Sequence, residues 1–293
     1  MTWWVVVNPA AGTRQQWEDR VRRALELQDL EAVVQSSGSA AHFRELVSEG
    51  IATGATRFVA AGGDGTVSLM ADALLGHRWA SPPTLGVLPA GSGCDFIRTF
   101  GFSQVLEEAA AHLAGDGSVL IDVGVAEGAW GTRRFVNVLD IGVIAATVRT
   151  ADGPTRHLGR FRYKAAFWLT LIPFRTTRLT VQMERRTFAG RANTVVFANG
   201  QYFGFNMNVA PRASPSDGLL DVQVFVGPKT SALSLLPKVS RGRHLAHPMV
   251  HRFRTEAATV VTERPWPIEV DGDYLGETPV SVRVEPRSLR LKV

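Results

Sequence analysis

Apolar residues in the first third of the chain alternate between short uninterrupted runs and segments with helical spacing. Residues Trp3 to Val7 are all apolar, and a run of this length is typical of a buried strand. In the segment that follows, Trp17, Val21, Ala24 and Leu25 recur at intervals that place them on one face of a helix. This alternation predicts an α/β domain with a mainly parallel sheet.

The same alternation continues up to residue 88. Residues 39–49 predict a helix, a short apolar run ends at Val59, another helix follows it, and Leu85 to Leu88 predict the next strand. The apolar stripes of these two helices are Phe43, Leu46 and Val47 in the first and Val67, Met70, Ala71 and Leu74 in the second. The amino-terminal domain is therefore predicted to span residues 1–122.

Beyond about residue 120 the pattern changes to short β-rich runs, which predict a second, mostly antiparallel domain over residues 123–280. The predicted strands include Arg134 to Val138, Leu179 to Met183, Asn193 to Ala198, Met207 to Ala210, Leu220 to Phe225 and Ala258 to Thr262. Helices are expected over residues 159–175 and 229–240. The predicted fold class is thus α/β plus β.

Small residues follow three successive strands of the first domain. They form the loops Asn8 to Gly12, Gly62 to Thr66 and Gly91 to Asp95. Open α/β sheets bind ligands at the carboxyl ends of their strands. The three loops are therefore expected to converge on one site.

The segment Gly62-Gly63-Asp64-Gly65-Thr66 has the residue types of a phosphate-binding turn. Its glycines let the backbone approach a ligand closely. Thr66 is expected to cap the helix that follows, and Asp64 is available for a metal ion or a hydroxyl proton. The alternative is a tight strand-to-helix turn in which Asp64 is a helix cap.

Composition and charge exclude several classes of protein. Hydrophobic residues make up 45% of the 293 residues and charged residues 20%, as in an ordinary folded enzyme. The single Cys94 cannot form an intramolecular disulfide, and the first residues do not resemble a signal peptide, so a cytoplasmic location is expected.

The net charge of +5 favours an anionic partner. Nothing in the sequence except this charge supports binding to nucleic acid, so no nucleic-acid partner is predicted.

The segment around residues 160–178 combines aromatic, aliphatic and basic side chains. Ala165 to Phe174 is about half as long as a membrane-spanning helix, so no transmembrane segment is predicted. The residues concerned are Tyr163, Phe167, Trp168, Leu169, Leu171, Ile172 and Phe174, among Arg160, Arg162, Lys164, Arg175 and Arg178. Such a mixture suits an interfacial helix, but a core helix with a charged border is the favoured interpretation for most of the apolar residues.

Five sequence blocks occur in the order found in the diacylglycerol kinase catalytic family. They are Asn8 to Gly12, Gly62 to Thr66, Leu88 to Phe96, Ala213 to Asp221 and Asp271 to Asp273. The chain resembles this family over nearly its whole length, and its architecture is most similar to that of the bacterial soluble lipid kinases. Sphingosine and ceramide kinases share the motifs of the first domain.

The resemblance implies a nucleotide-binding α/β domain, a carboxy-terminal β-sandwich, and ATP-dependent phosphorylation of a diacylglycerol hydroxyl. It also implies that about residues 281–293 return to the first domain. Because the substrate is a lipid, the resemblance also implies that the protein acts at a membrane surface and contacts the inner face of the membrane peripherally. By the same resemblance, the residues that line the nucleotide would be Asn8, Pro9, Ala10, Ala11, Gly12, Ser36, Gly62, Gly63, Asp64, Gly65, Thr66, Val67, Ser68 and Ser92.

Asp271-Gly272-Asp273 is predicted to form a hairpin turn, since Asp-Gly is a common hairpin signal. In the resembled family the third residue of this block is usually Glu and accepts the proton of the lipid hydroxyl. Asp273 stands there in this chain, with a reach one methylene shorter. Asp273 is therefore the first candidate for the base, and Asp271 or Asp64 could share or hold the role.

The Asp217-Gly218-Leu219 loop resembles the structural Mg²⁺ loop of the family. Asp217 would bind the ion together with the backbone carbonyls of Ser214 and Leu219, since Mg²⁺ prefers oxygen ligands. The alternative is a simple turn before a strand.

Cys94 departs from the family pattern, which usually has Asn at this position. A small buried side chain is the favoured interpretation of Cys94. The replacement weakens the inference of activity, because a thiol lacks the paired donor and acceptor of an amide.

Three other functions stay open. They are a kinase of another lipid alcohol such as a long-chain base, an NAD kinase, and a nucleotide-binding regulator that has lost catalysis. The chain has no P-loop motif and no His-Arg-Asp catalytic loop, which argues against a P-loop NTPase and a protein kinase.

Overall fold

A computed structural model describes residues 2–8, 14–90, 94–204 and 206–293. The chain forms two units, the first from residues 1–123 and 286–293 and the second from residues 124–285. The sequence placed the domain boundary after residue 122 and the return to the first domain at about residue 281.

The first unit alternates strands and helices. Its elements are β1 (Trp3–Val7), α1 (Arg14–Glu26), β2 (Ala32–Ser36), α2 (Ala40–Ala52), β3 (Arg57–Gly62), α3 (Asp64–Leu75), β4 (Thr84–Pro89), α4 (Asp95–Arg98) and α5 (Leu106–Ala114). Two further strands, β5 (Ser118–Gly128) and β18 (Val280–Lys292), begin or end in this unit. The predicted strands and helices up to residue 89 are confirmed.

The sheet of the first unit has the strand order β2-β1-β3-β4-β18. All four pairings are parallel, and the last one joins Arg290 and Leu291 to Thr84 and Leu85. The predicted parallel α/β arrangement is confirmed.

Both faces of this sheet are covered, which explains the uninterrupted apolar run of β1. Trp3, Val5 and Val7 pack in one core with residues of α1 and α5. On the other face, the indole of Trp4 donates to the carbonyl of Leu46 in α2, and Gly50 leaves room for its ring. No residue of β1 faces solvent, so none needs to be polar.

The second unit is mostly antiparallel sheet. Its strands are β6 (Gly131–Phe135), β7 (Val138–Gly142), β8 (Thr177–Met183), β9 (Thr187–Ala192), β10 (Thr194–Ala198), β11 (Tyr202–Phe203), β12 (Met207–Asn208), β13 (Leu220–Phe225), β14 (Val250–Thr255), β15 (Ala257–Thr262), β16 (Pro267–Val270) and β17 (Asp273–Glu277). Its helices are α6 (Val143–Asp152), a 3-10 helix (Arg156–Phe161), α7 (Arg162–Leu171) and α8 (Ser231–Ser240).

Two sheets of the second unit share one apolar core. One has the strand order β14-β13-β10-β7-β16-β17 and is antiparallel throughout. The other contains β9, β8, β15 and the first part of β18, again antiparallel. Alternate residues of both sheets, such as Ile141, Phe197, Val181 and Val260, meet in one cluster. The predicted α/β plus β-sandwich fold class is confirmed.

Three details of the second unit differ from the sequence prediction. The run Arg134 to Val138 is not one strand, because the chain turns between Phe135 and Val138 to connect β6 with β7. The helix expected over 159–175 is divided, with a 3-10 helix before α7 and an end at Leu171, shortly before Pro173. Helix α6 was not predicted. Within the described residues, no helix is both long enough and apolar enough to span a membrane.

Candidate functional site

The glycine-rich turn connects β3 to α3. Gly63 is the N-cap of α3, and the helix begins at Asp64. Thr66 therefore lies inside the first turn, and the prediction that it caps the helix is wrong. Its Oγ1 instead accepts a hydrogen bond from Asn8 Nδ2 (3.1 Å), while the Asn8 amide donates to the Ala61 carbonyl (2.9 Å). The ends of β1 and β3 are thus joined at the predicted nucleotide site.

The space around the backbone differs between Gly62 and Gly65. A Cβ at Gly62 would lie 2.2 Å from Thr66 Oγ1, so glycine is required there by packing within the turn. A Cβ at Gly65 would meet no atom within 4 Å among the described residues, and this residue is exposed. Of these two glycines, only Gly65 has open space beside its backbone among the described residues.

The Asp64 side chain accepts hydrogen bonds from the first backbone amides of a neighbouring helix, α4, and not from those of its own helix, α3. Its two carboxylate oxygens accept from the Asp95 amide (2.9 Å) and the Phe96 amide (2.8 Å), at the amino-terminal end of α4. Burial raises the pKa of the Asp64 carboxyl, and these two hydrogen bonds oppose the shift. The interpretation of Asp64 as the cap of its own helix is therefore wrong.

Sequence reasoning quoted Asp95 in a motif but gave it no role. Asp95 is buried, and its carboxylate lies 3.3 Å from Arg98 Nε. The signal for it was the block Cys94-Asp95-Phe96, which contains a carboxylate directly after a glycine-rich loop. Asp64, Asp95 and Arg98 form one charged cluster.

Cys94 is buried beside this cluster, as expected for a small core residue. Gln104 holds its backbone by accepting from the Cys94 amide (2.9 Å) and donating to its carbonyl (2.9 Å). Burial, and then the nearby Asp64 carboxylate, raise the pKa of the thiol well above its usual value. The thiol is therefore neutral and is not poised for reaction.

The other residues predicted to contact the nucleotide differ in burial and in hydrogen bonding. Ser36 donates to Glu18 Oε2 (2.6 Å), and this bond lowers the pKa of Glu18. Val67 and Ser68 are fully buried in α3, and the Ser68 hydroxyl has no hydrogen-bond partner among the described residues. Pro9, Ala10, Ala11, Gly12 and Ser92 lie outside the described residues. Nucleotide contact by any of these residues stays a prediction.

Asp271 and Gly272 form the predicted hairpin turn between β16 and β17. Both have positive φ angles, 47° and 98°, as a two-residue turn of this type requires. Asp271 is buried, and its carboxylate accepts three backbone hydrogen bonds. The donors are the amides of Val136 (2.9 Å), Asn137 (3.1 Å) and Val138 (2.8 Å). Asp271 therefore ties the turn to the β6–β7 connection.

Asp273 has an open environment at the same turn. Its side chain is 57% exposed, and Oδ2 accepts from Arg133 Nη2 (2.9 Å), whose guanidinium is mostly buried. Asp273 also lines an open surface depression. The other lining residues are Arg149, Asp152, Gly153, Tyr274 and Leu275. Asp273 is therefore accessible to a ligand, whereas Asp271 is not.

Two fully buried acids lie next to the turn, and sequence reasoning missed both. Asp140 of β7 and Glu269 of β16 face each other across the antiparallel pairing. Glu269 Oε1 accepts a hydrogen bond from the Gly272 amide. The available signals were Asp140 in Leu-Asp-Ile and Glu269 in Ile-Glu-Val, each a charge inside an otherwise apolar strand.

The predicted metal loop is described in full. Asp217 Oδ1 accepts from the Leu219 amide (3.1 Å), and Oδ2 accepts from Arg254, which also lies 3.5 Å from Asp221. Oxygen donors that suit Mg²⁺ are present, but the Arg254 guanidinium takes the position of a cation beside Asp217. Mg²⁺ fits this loop only if Arg254 moves away. Within the described ranges, no three His, Cys, Asp or Glu side chains group to hold a metal ion.

Comparison with protein families assigns both parts of the chain. Residues 2–126 match the family described as diacylglycerol kinase catalytic domain. Residues 137–293, more than half of the chain, match the YegS C-terminal NAD kinase beta sandwich-like domain. The chain belongs to the diacylglycerol kinase and YegS family of lipid kinases. Membership of this kinase family implies the use of ATP.

Relatives in the diacylglycerol kinase and YegS family are similar over most of the chain. Diacylglycerol kinase of Mycobacterium tuberculosis (strain ATCC 25618 / H37Rv) is 29% identical over 265 residues, which cover 88% of this chain and 84% of the relative. The probable lipid kinase YegS-like of Cronobacter sakazakii (strain ATCC BAA-894) is 29% identical over 266 residues, 89% of this chain and 85% of the relative.

A solved structure of a family member has the same fold. The crystal structure of a diacylglycerol kinase from Bacillus anthracis str. Sterne is similar to this chain with a TM-score of 0.74 and 19% identity. The match covers 99% of this chain and 96% of that chain. At this identity the likeness concerns the fold alone.

Proposed function

We propose that this lipid kinase transfers the γ-phosphoryl group of ATP to the hydroxyl of diacylglycerol, which gives phosphatidic acid. Membership of the family supports phosphoryl transfer to a lipid, and a relative named diacylglycerol kinase supports the acceptor. The observation that carries the proposal is the accessible carboxylate of Asp273, held by Arg133 at an open depression.

Asp273 is the proposed proton acceptor. As the lipid oxygen bonds to the γ-phosphorus, its proton passes to the Asp273 carboxylate, and the bond from that phosphorus to the bridging oxygen breaks to release ADP. The hydrogen bond from Arg133 fixes the direction of the carboxylate. Because proton transfer requires hydrogen-bond distance, the acceptor hydroxyl has to approach this shorter side chain more closely than it would a glutamate.

Nucleotide binding is proposed for the first unit, at the carboxyl ends of β1 and β3. The amino terminus of α3 begins there at Asp64, and a helix amino terminus favours anionic groups. Open space at Gly65 gives a phosphate access to that backbone. The hydrogen bond between Asn8 and Thr66 positions the two loops relative to each other.

Mg²⁺ is the proposed companion of ATP, and it neutralises phosphate charge in such transfers. The Asp217 loop is a second proposed Mg²⁺ site, with Asp217 and the carbonyls of Ser214 and Leu219 as its oxygen donors. Arg254 must leave Asp217 for the ion to bind. That exchange costs little, because an exposed ion pair is worth about 1 kcal/mol or less.

A membrane surface is the proposed partner, because the acceptor is a lipid. Phe161, Trp168, Leu169 and Ile172 are exposed at and along α7, and we refer to them as the exposed apolar surface. The opposite side of α7 packs on α6, where Thr170 Oγ1 lies 2.9 Å from Thr150 Oγ1. The expectation of a core helix is therefore wrong for Trp168, Leu169 and Ile172, whereas Leu171 is buried and Tyr163, Phe167 and Phe174 are partly buried.

Basic residues flank the exposed apolar surface. Arg175 is exposed, and Lys229, which precedes α8, donates to the carbonyl of Ile172. Each Lys or Arg close to an anionic leaflet contributes about 1 kcal/mol of attraction. The combination suits shallow insertion into an anionic membrane surface.

One assay tests the proposed acceptor. Purified protein is incubated with γ-labelled ATP, Mg²⁺ and, in separate reactions, diacylglycerol, sphingosine, ceramide, a polyprenol and NAD. We expect label on diacylglycerol and a much lower turnover on the other acceptors.

Each other result selects a different function. Label on sphingosine or another lipid alcohol in preference to diacylglycerol would make the protein a kinase of that lipid. Binding of ATP without transfer to any acceptor would support the nucleotide-binding regulator. Label on NAD alone would exclude a lipid acceptor. In all three cases the diacylglycerol assignment would be wrong.

A further inference from the structure

The buried acids Asp140 and Glu269 lie in the six-stranded sheet of the second unit. Both residues are 0% exposed. Within the described part of the chain, no N–H or hydroxyl donor reaches Asp140 Oδ1, Asp140 Oδ2 or Glu269 Oε2. Two ionised carboxylates in such a dry position would repel each other strongly. The pair must therefore keep at least one proton.

The proton is best placed on Glu269. Burial and the neighbouring Asp140 raise the pKa of Glu269 well above its usual value. Burial raises the pKa of Asp140 to about 7, and its interaction with Glu269 opposes the rise. A protonated Glu269 that donates from Oε2 to Asp140 gives Glu269 Oε2 and one Asp140 oxygen a partner through one shared hydrogen.

Other charged groups near the pair do not neutralise it. Asp271 and the Tyr163 hydroxyl are its electrostatic neighbours from the turn and from α7. Helix α6 packs on β16, but its charged residues are directed elsewhere. Arg149 pairs with Glu277 (3.6 Å), and Asp152 pairs with Arg162 (3.8 Å). None of these groups places a cation on Asp140 or Glu269, so protonation is what lowers the negative charge of the pair.

The second oxygen of Glu269 connects the pair to the turn. Glu269 Oε1 accepts from the amide of Gly272, the residue between Asp271 and Asp273. Asp271 holds the same turn from its other side through the amides of residues 136–138. Two carboxyl groups, those of Glu269 and Asp271, therefore fix the backbone that carries Asp273.

We propose that Asp140 and Glu269 are positioning residues, a proton-sharing pair that holds the Asp271-Gly272 turn so that Asp273 reaches the acceptor hydroxyl. Neither residue touches the substrate. The pair acts only through the Gly272 amide. The inference rests on the proposed function for its effect on turnover, but its effect on the turn is independent of any substrate.

The test compares Glu269→Gln with Glu269→Ala. Glutamine keeps a donor toward Asp140 and an acceptor for the Gly272 amide, whereas alanine keeps neither. We expect Glu269→Gln to retain kcat within about threefold, and Glu269→Ala to lose about 100-fold in kcat, the size that a displacement of about 1 Å produces. The KM for ATP stays unchanged in both variants. Glu263→Ala, at an exposed residue of the same unit, is the matched control.

A second readout uses no substrate. Hydrogen exchange measured by mass spectrometry on peptides that cover residues 271–274 is expected to accelerate in Glu269→Ala and to stay at the wild-type rate in Glu269→Gln. This measurement stands even if the protein phosphorylates no lipid. Unchanged exchange in a folded Glu269→Ala variant would overturn the positioning role.

The raised pKa of Asp140 has its own signature in stability. A carboxyl whose pKa is raised in the folded state loses stabilisation as the pH rises from about 4 through its folded pKa, which for Asp140 is about 7. The melting temperature of the wild type should therefore fall between about pH 5 and about pH 8, and Asp140→Asn should reduce this fall. An equal fall in both proteins, or a loss of turnover in Glu269→Gln as large as in Glu269→Ala, would contradict the proposal.

Discussion

Asp271 and Asp273 are two residues apart and have opposite environments. Asp271 is buried and accepts three backbone hydrogen bonds, whereas Asp273 is exposed and has a hydrogen bond from Arg133. A carboxylate fully engaged with backbone amides is poorly placed to collect a substrate proton. The environments therefore favour Asp273 as the base and Asp271 as an anchor.

Substitution by asparagine should separate the two roles. Asp271→Asn replaces one acceptor oxygen by a donor that faces a backbone amide, so we expect a loss of about 1–3 kcal/mol in the free energy of unfolding. Asparagine tolerates the positive φ of 47° at this position, so the backbone adds no further cost. Chemical denaturation measures the change.

Asp273→Asn should show the reverse. The side chain is exposed, so stability should change by about 0.5 kcal/mol or less, while kcat falls by about 100-fold or more because a general base is lost. Near-normal turnover in Asp273→Asn would remove it as the base. Unchanged stability in Asp271→Asn would remove the anchoring role.

The sequence could predict the hairpin turn at Asp271 and Gly272 but not the hydrogen-bond partners of its side chains. The Asp-Gly signal predicted the turn, while the amides that bind Asp271 come from residues 136–138, far away in the chain. Asp140 and Glu269 escaped prediction for the same reason, because their pairing depends on strand register. Local patterns report periodicity, whereas hydrogen-bond partners depend on tertiary contacts.

At the scale of elements, the Asp217 loop binds an arginine in the position proposed for a cation. Asp217 and Asp221 both lie beside Arg254. Gly218, with a φ of 74°, provides the turn that returns the Leu219 amide to Asp217. The loop is therefore ordered by its own contacts, and Mg²⁺ would compete with Arg254 for the carboxylate.

Competition predicts opposite effects for two substitutions in this loop. We expect Mg²⁺ to raise the melting temperature of the wild type, Asp217→Asn to abolish this rise, and Arg254→Gln to enlarge it, because the competing charge is gone. Differential scanning fluorimetry with and without Mg²⁺ measures the effect, and Na⁺ at equal ionic strength is the control. If Mg²⁺ raises the melting temperature of neither the wild type nor Arg254→Gln, this loop has no metal site.

Elements of the first unit were easier to predict than those of the second. Strand β1 is apolar on both faces and α2 has one apolar stripe, so both follow from spacing alone. Helix α6 was missed because it follows β7 directly, with Gly142 as its N-cap and no polar capping residue. When a strand continues directly into a helix, the sequence contains no loop or polar capping residue that would indicate where the helix begins.

At the scale of the whole molecule, the exposed apolar surface predicts dependence on a membrane. We expect the triple variant Trp168→Ala, Leu169→Ala and Ile172→Ser to bind anionic vesicles about tenfold or more weakly, since one fully buried side chain of this size contributes about 1.5–3 kcal/mol. Sedimentation with vesicles that contain phosphatidylglycerol measures binding. Leu27→Ser, at an exposed apolar residue of the first unit, is the control.

Activity distinguishes membrane binding from catalysis in the same variant. Turnover of diacylglycerol in vesicles should fall, while turnover of a dispersed short-chain diacylglycerol should stay close to that of the wild type. Vesicle binding by the triple variant equal to that of the Leu27→Ser control would exclude this surface from the interaction.

The last strand, β18, has a consequence for the order in which the protein is made. Residues 286–293 complete the sheet of the first unit beside β4, yet a ribosome makes them only after all of residues 124–285. At 5–20 residues per second, the edge of β4 waits roughly ten to forty seconds for its neighbour. An unpaired parallel edge invites pairing with other chains. During synthesis, residues 1–123 of this kinase therefore expose a strand edge that only residues 286–293 cover later.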